Sequence, residues 1–285
     1  MRIAITGGTG LVGRFLVEEG LAAGDDVAVL GRSPAAAGFF SAPVAQLRYT
    51  LRDAPPLDGF DALIHSAFLH EPGRYRGGEG DDPAGFIRAN LDGSIRLFEA
   101  ARSAGISRVL FLSSRAVYGA YPPGAALSED MEPRPDTLYG KVKWQAEQAL
   151  AGLAGPGFAT ASLRATGVYG PAGPGQRHKW ADLFDDFLAG RPIAPRRGTE
   201  LHGQDLAAAA RLLLQGPEPG AFNASDLVLD RHDLLARVAG LTGCPHPLPA
   251  RADTPVSAMR TDRLHALGWR PGGLQRLIDC LPGML

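Results

Sequence analysis

Two cysteines in 285 residues, Cys244 and Cys280, are too few for a disulfide framework and offer no metal-ligand spacing. So low a count fits a reducing compartment, so the cytoplasm is the expected location and each thiol is expected to pack as a small hydrophobe. Charge of one sign is also missing. The 29 basic and 30 acidic residues leave a formal net charge of −1, which provides no footprint for nucleic acid and no polybasic patch for a membrane surface. No apolar run reaches the roughly eighteen residues of a bilayer span. The chain begins on a candidate strand rather than a charged leader, so no signal peptide is expected. The seven histidines are scattered, and no metal site is expected.

What is present is an alternation. Residues 2–6, 27–30, 62–65 and 109–112 are short, largely apolar runs that read as strands, and residues 160–163 read as another. Between them, residues 11–23, 86–104 and 138–153 carry helix-like patterns. Continuous apolar strands between helices predict an α/β fold, a Rossmann-like, doubly wound parallel sheet covered on both faces. The texture changes at Gly170-Pro171-Ala172-Gly173-Pro174-Gly175, a loop signal that ends the repeating units. Residues 181–188 and 206–214 read as helices. The predicted organisation is a dinucleotide-binding domain over 1–170, completed by about 198–225. Residues 171–197 and 226–285 form a small, irregular C-terminal substrate lobe with only short helices.

Behind the first strand lies Thr6-Gly7-Gly8-Thr9-Gly10-Leu11-Val12-Gly13. Gly8, Gly10 and Gly13 fit one dinucleotide spacing; Gly7, Gly10 and Gly13 fit another. In both, small residues let the backbone approach a pyrophosphate at the start of a helix, whose N–H groups attract its charge. The acid expected at the end of the second strand to hold a ribose 2′-hydroxyl is missing. Gly31-Arg32-Ser33 stands there, while Asp25 and Asp26 precede the strand. A guanidinium matches a 2′-phosphate, so Arg32, with help from Arg14, favours NADP(H), with NAD(H) as the alternative.

Tyr139 and Lys143 are four apart on one predicted helix and share a face. A tyrosine hydroxyl ordinarily titrates near 10, so acting as a base near neutrality takes about 4 kcal/mol. A cation about 4 Å away at an intermediate effective dielectric supplies about that much. Upstream, Ser113 and Ser114 end the strand that begins at Val109, at the carboxyl end of a central strand, where ligands bind.

Taken in order, these features resemble the extended short-chain dehydrogenase/reductases, the NAD(P)-dependent sugar epimerase/dehydratase group. The matching stretches are the glycine loop, Leu63-Ile64-His65-Ser66-Ala67, Asn90-Leu91-Asp92-Gly93-Ser94, residues 113–119, Tyr139 to Lys143, Leu163-Arg164 through Val168-Tyr169-Gly170-Pro171, and Leu267-Gly268-Trp269. The resemblance selects the Gly7, Gly10, Gly13 spacing and leaves Gly8 a flexible neighbour in the turn. It implies that Ser114 hydrogen-bonds the reacting oxygen, that Tyr139 is the general acid/base, and that Lys143 holds the nicotinamide ribose. The candidate cofactor positions are then Arg32, by its charge, and, by the glycine loop and the resemblance, Gly7, Thr9, Gly10, Leu11, Val12, Gly13, Thr50, Leu51, Ser66, Ala67, Asn90, Tyr139 and Lys143. It makes Arg164 a structural anchor, His65 a packed residue and Ser113 a support for the turn.

Two departures matter. The group's 4,6-dehydratases follow their serine or threonine with acids, and this chain has Arg115 and Ala116 there, which argues against dehydration. The acid that usually meets adenine after the third strand is replaced by Thr50-Leu51. The expectation is an oxidoreductase or epimerase transferring hydride at a hydroxyl or carbonyl carbon of a sugar, nucleotide sugar or similar small molecule, in a possible homodimer. Arg177 and Arg197 are open candidates for substrate contact. The second reading is a non-catalytic NAD(P)-sensing regulatory protein; retention of Ser114, Tyr139 and Lys143 counts against it.

Overall fold

The computed structural model describes residues 1–70, 78–216 and 219–285. In chain order the first half runs β1 (Arg2–Thr6), α1 (Gly13–Ala22), β2 (Asp26–Gly31), β3 (Ala45–Arg48), β4 (Ala62–His65), α2 (Pro83–Ile87), α3 (Gly93–Ser103), β5 (Arg108–Ser114) and α4 (Leu138–Leu153). The second half runs β6 (Ala159–Ala165), β7 (Gly167–Tyr169), α5 (Ala181–Leu188), β8 (Arg197–His202), α6 (Gly203–Gln215), β9 (Gly220–Ala224), β10 (Leu227–Asp230), α7 (Arg231–Thr242), α8 (Asp262–Ala266) and α9 (Gly273–Cys280).

Seven strands form one parallel sheet in the order β3-β2-β1-β4-β5-β6-β9. Both faces are covered, which is why most of its inner strands read as apolar runs. On one face Phe15, Leu16 and Val17 of α1 and Leu206 and Leu213 of α6 pack on Ile3, Ile5, Val27 and Leu163. On the other, Leu97 and Phe98 of α3 and Ala146 and Leu150 of α4 pack on Ala4, Leu63, Val109 and Phe111. Each such large side chain contributes about 1.5–3 kcal/mol by leaving water. Helix α4 begins where Thr137 caps it, its hydroxyl accepting from Gly140 N at 3.0 Å.

The structure differs from the sequence reading in several places, beginning with β3, which was not read as a strand. The single helix expected over 86–104 is broken by a π turn over Arg88–Asp92 between α2 and α3. The C-terminal lobe is more regular than expected, because β10, β8 and β7 form a three-stranded sheet over a core of Tyr169, Trp180, Phe184, Leu234, Leu235 and Leu277. Its α7 is twelve residues long, capped by the Asp230 carboxylate at one end and by Gly243 at φ +69° at the other. Finally, β9 returns to the large sheet beside β6, whereas β7 and β8 leave it for the small one. Strands of three to six residues held by pairing with distant chain carry little periodic signal of their own. Trp269 closes the structure underneath: fully buried, it donates from Nε1 to Asp205 O at 2.8 Å.

Candidate active site

Strand order reverses between β1 and β4, and a crevice opens at the carboxyl ends of strands at such a switch point. The glycine loop rises there. Gly7 has φ +71°, and a Cβ on it would lie 2.7 Å from the Ala67 amide nitrogen. Gly10 N donates to Gly7 O at 2.9 Å, and a Cβ on Gly13 would collide with that same carbonyl. The three glycines close one tight turn, with Thr9, Leu11 and Val12 carried between them into α1. Gly8 is not the flexible neighbour expected. It is buried, and a Cβ there would lie 2.9 Å from Val17 and 3.0 Å from Val29, so its hydrogen is what lets α1 lie flat on β2.

Ser66 and Ala67 face this turn because β4 pairs with β1. The Ser66 hydroxyl donates to Thr6 O at 2.6 Å, and the Ala67 amide donates to Thr6 Oγ1 at 3.2 Å. Thr6 Oγ1 lies 2.7 Å from His65 Nδ1, and His65 Nε2 lies 2.9 Å from Ser94 Oγ. Ser94 donates onward to Asn90 O, so the fully buried His65 donates from Nε2 and accepts at Nδ1. Burial, then the nearby Lys143, pushes its pKa down to about 3. Asn90 sits in the π turn and clamps Leu69 from both sides: Leu69 N donates to Asn90 Oδ1 at 2.7 Å, and Asn90 Nδ2 donates to Leu69 O at 2.8 Å. Such turns concentrate at functional sites.

Ser114 ends β5, and its Oγ accepts from Ala116 N at 3.2 Å as the chain turns. A Cβ on Gly140 would collide with Ala116 O, so the first turn of α4, which carries Tyr139, lies directly against the serine turn. One helical turn further, Lys143 is 3 % exposed and donates to Leu112 O at 2.7 Å. Its Nζ stands 4.3 Å from the Phe68 ring centre and 4.6 Å from that of Phe111. Burial lowers the Lys143 pKa to about 7, opposed by the Glu147 carboxylate. Half-buried Tyr139 meets Phe68 edge-to-face, with ring centres 5.1 Å apart.

Arg32 is exposed at the end of β2 and lines an open cleft of about 390 Å³ with Thr9, residues 33–36 and Phe39. No carboxylate lines that cleft, and no carboxylate among the described residues pairs with Arg32. Arg14 is engaged beside it, donating to Phe39 O at 3.3 Å with Glu18 at 3.6 Å. Thr50 and Leu51 lie apart from the Ser114–Lys143 group. Thr50 donates from Oγ1 to Asp53 Oδ2 at 2.7 Å, and Leu51 O accepts from Arg96 at 3.1 Å beside the start of α3. The turn of Gly7 to Gly13, its backbone-tight contact with Ala67 and the adjoining cleft together fit the pyrophosphate end of a dinucleotide.

The model of the NAD dependent epimerase/dehydratase family matches residues 3–225. The chain belongs to this family. It is 35 % identical, over 179 residues, to a 4-hydroxy-2-methyl-3-oxo-4-farnesyl-3,4-dihydroquinoline-1-oxide ketoreductase of Stigmatella aurantiaca; that match takes in 60 % of this chain and 51 % of the relative, about half its length. It is 27 % identical over 314 aligned positions to a UDP-glucose 4-epimerase of Corynebacterium glutamicum, covering 95 % and 91 % of the two chains. The crystal structure of the Thermus thermophilus UDP-glucose 4-epimerase in complex with NAD superposes with a TM-score of 0.79, at 27 % identity, over 100 % of this chain and 98 % of that one.

Behind the family's serine-tyrosine-lysine pattern lies a buried carboxylate that sequence reading passed over. Glu147, four residues after Lys143 on the same helix face, accepts from the Ser113 hydroxyl and pairs with Arg164, whose Nη2 reaches Oε2 at 2.7 Å. Its signal was there: positions 139, 143 and 147 form one i, i+4, i+8 stripe. Arg164 also donates to Tyr118 Oη at 3.0 Å, and Tyr118 donates to Asn223 Oδ1 at 2.7 Å, joining β5, α4, β6 and β9. Arg115 donates to Ser257 O from Nη2 at 2.9 Å. Arg177 pairs on the surface with Asp182 at 2.7 Å and Asp185 at 2.6 Å, and Arg197 is exposed at the start of β8. The lobe reaches the glycine loop through Gln176, whose Nε2 donates to Thr9 O at 2.7 Å.

Among the described residues, no group of three or more His, Cys, Asp and Glu stands together as a metal site, and no helix is long and apolar enough to cross a membrane.

Proposed function

We propose that this chain is an NADP(H)-preferring oxidoreductase or epimerase that works at a hydroxyl or carbonyl carbon of a sugar, nucleotide sugar or similar small molecule. One observation carries the reading. A buried lysine amine stands one helical turn from Tyr139, and that helix packs on the turn of Ser114.

Ser114 Oγ orients the substrate oxygen. The Tyr139 hydroxyl gives that oxygen its proton in reduction and takes it in oxidation, and the Lys143 ammonium stabilises the tyrosinate between. Leu112 O holds the lysine amine, and the Glu147 charge favours its protonated form. When bound, the nicotinamide supplies or receives the hydride at the attached carbon. Gly7, Thr9, Gly10, Leu11, Val12 and Gly13 would hold the pyrophosphate, Ser66 and Ala67 would flank it, and Asn90 would fix the Leu69 backbone beside the site. Thr50 and Leu51 would border the adenine. Arg32 would hold the 2′-phosphate, and the absence of acid from its cleft supports NADP(H) over NAD(H). Net reduction gains from a reducing pool, whereas an epimerase returns its hydride; the relative named a ketoreductase is in line with that. With Arg115 turned to Ser257 O, no acid stands at the dehydratase positions to help a hydroxyl leave. The same reading places the protein in the cytoplasm, as a homodimer through α4 and its neighbour.

The test is Tyr139→Phe together with parallel NADPH and NADH titrations. Turnover in the variant equal to wild type, on a carbonyl or sugar substrate identified by panel, would overturn the mechanism. Tighter NADH than NADPH binding would overturn the cofactor preference.

A further inference from the structure

Strand β6 stands beside β5, with Ala165 in register with Ser114. Two residues on, the chain has left the large sheet, and Gly167 lies opposite Glu200 in the small one. Neighbouring strands are about 4.8 Å apart and advance about 3.3 Å per residue, so Gly167 is roughly 8–12 Å from Ser114. Gly167 makes room for a charge. A Cβ there would collide with the Lys179 amine and lie 2.9 Å from Glu200 Oε2.

Lys179 Nζ donates to Glu200 Oε2, and the two side chains keep 17 % and 8 % of their surface. Among the described residues this is the one side-chain hydrogen bond that either group makes, and it uses Oε2 of Glu200 rather than Oε1. Burial pushes Lys179 down and Glu200 up, each opposed by the other, and the positive charge of Arg196 acts on both. Taking two charges out of water costs about what their attraction returns, so such a pair is an inefficient way to hold a loop. What it does provide is spare N–H donors beside a spare carboxylate oxygen. A hydroxyl group both accepts and donates, and so satisfies both at once. A phosphate or carboxylate would meet the Glu200 charge.

We infer that Lys179 and Glu200 are a specificity-determining pair that takes an uncharged, hydroxyl-bearing part of the substrate, on the side of Ser114 away from the cofactor loop. The assignment rests on the proposed function and narrows it: the polyol portion, not a phosphate, lies at this pair.

The experiment is calorimetric binding of UDP-glucose, D-glucose and UDP to the NADPH-saturated protein, in wild type, Glu200→Gln and Lys179→Met, with thermal unfolding alongside. The expected result is that both variants lose tenfold or more in affinity for whichever glucosyl ligand the wild type takes, and change UDP affinity by less than twofold. Parallel loss of UDP, or no loss at all, overturns the assignment. The exchange Lys179→Glu with Glu200→Lys keeps an ion pair. Recovered thermal stability without recovered glucosyl affinity is expected, and recovery of both reduces the pair to a structural tie. Wild-type protein that takes neither UDP-glucose nor D-glucose overturns the sugar reading, and this assignment with it. Wild type that takes one of them while Glu200→Gln binds it equally well overturns the assignment alone.

Discussion

The Lys143 amine donates to the Leu112 carbonyl oxygen at 2.7 Å, between the rings of Phe68 and Phe111 and out of water. Burial lowers its pKa to about 7, while an unfolded lysine holds its proton to about 10.4. Between those values the unfolded chain binds more protons than the folded one, so stability from this group rises with pH. Below about 7 the full cost of the buried charge is present. Lys143→Met therefore unfolds several degrees above wild type at pH 6.5, with the margin disappearing toward pH 10, and loses at least a hundredfold in turnover. Calorimetric unfolding across that pH range checks the first part. A variant less stable than wild type at pH 6.5 would show that the Leu112 bond outweighs the burial of charge.

Glu147 is the counterweight. Its carboxylate raises the Lys143 pKa against burial and holds the Arg164 guanidinium, both side chains being under 5 % exposed. Removing one partner of such a pair leaves the other charge stranded, at about 3–5 kcal/mol. Glu147→Gln is expected to cost about that much in chemical denaturation. It also moves the lysine-dependent limb of the pH–rate profile downward, because the charge opposing burial is gone. A profile that stays in place would remove Glu147 from the tuning of Lys143.

The large sheet and the order of its helices were legible because most inner strands are short apolar runs between helical patterns, and β4, α4 and α5 keep the bounds read from sequence. Ser114, Tyr139 and Lys143 were legible for a similar reason, since one strand end and one helix turn carry them. What was hidden depends on long-range pairing or packing. Strands β7, β8 and β10 are specified by one another, not by their own periodicity. The role of Gly8 needed the positions of Val17 and Val29, and the π turn that aims Asn90 leaves no break in the apolar pattern of residues 86–104. Glu147 looked like one more solvated acid until its burial with Arg164 was seen.

Arg32 projects into its cleft without a carboxylate partner among the described residues. A charge-assisted contact to a phosphate contributes about 1.5–3 kcal/mol, equivalent to roughly 10- to 150-fold in affinity. Arg32→Ala is expected to weaken NADPH by that factor and leave NADH within about twofold, read by fluorescence titration. Equal loss for both cofactors would mean that the arginine shapes the loop rather than reading the phosphate.

Gly140 and Gly152 lie in the same helix and separate two effects of one methyl group. Alanine in a helix interior is favoured over glycine by about 0.5–1 kcal/mol, because it surrenders less backbone freedom on folding. At exposed Gly152 nothing lies within 4 Å of the added Cβ, so Gly152→Ala is expected to stabilise by about that amount and leave turnover unchanged. At Gly140 the same Cβ collides with Ala116 O and lies 3.1 Å from Pro135. Backbone cannot yield as a flexible side chain does, so the first turn of α4 must move off the Ser114 turn. Gly140→Ala is then expected to lose one to two kcal/mol of stability despite its better propensity, and to lose turnover disproportionately, since a shift of about 1 Å between Tyr139 and Ser114 costs about a hundredfold. Thermal unfolding and turnover, measured on both variants, decide it. Gly140→Ala with the stability and rate of Gly152→Ala would show that the two catalytic elements do not depend on this close approach.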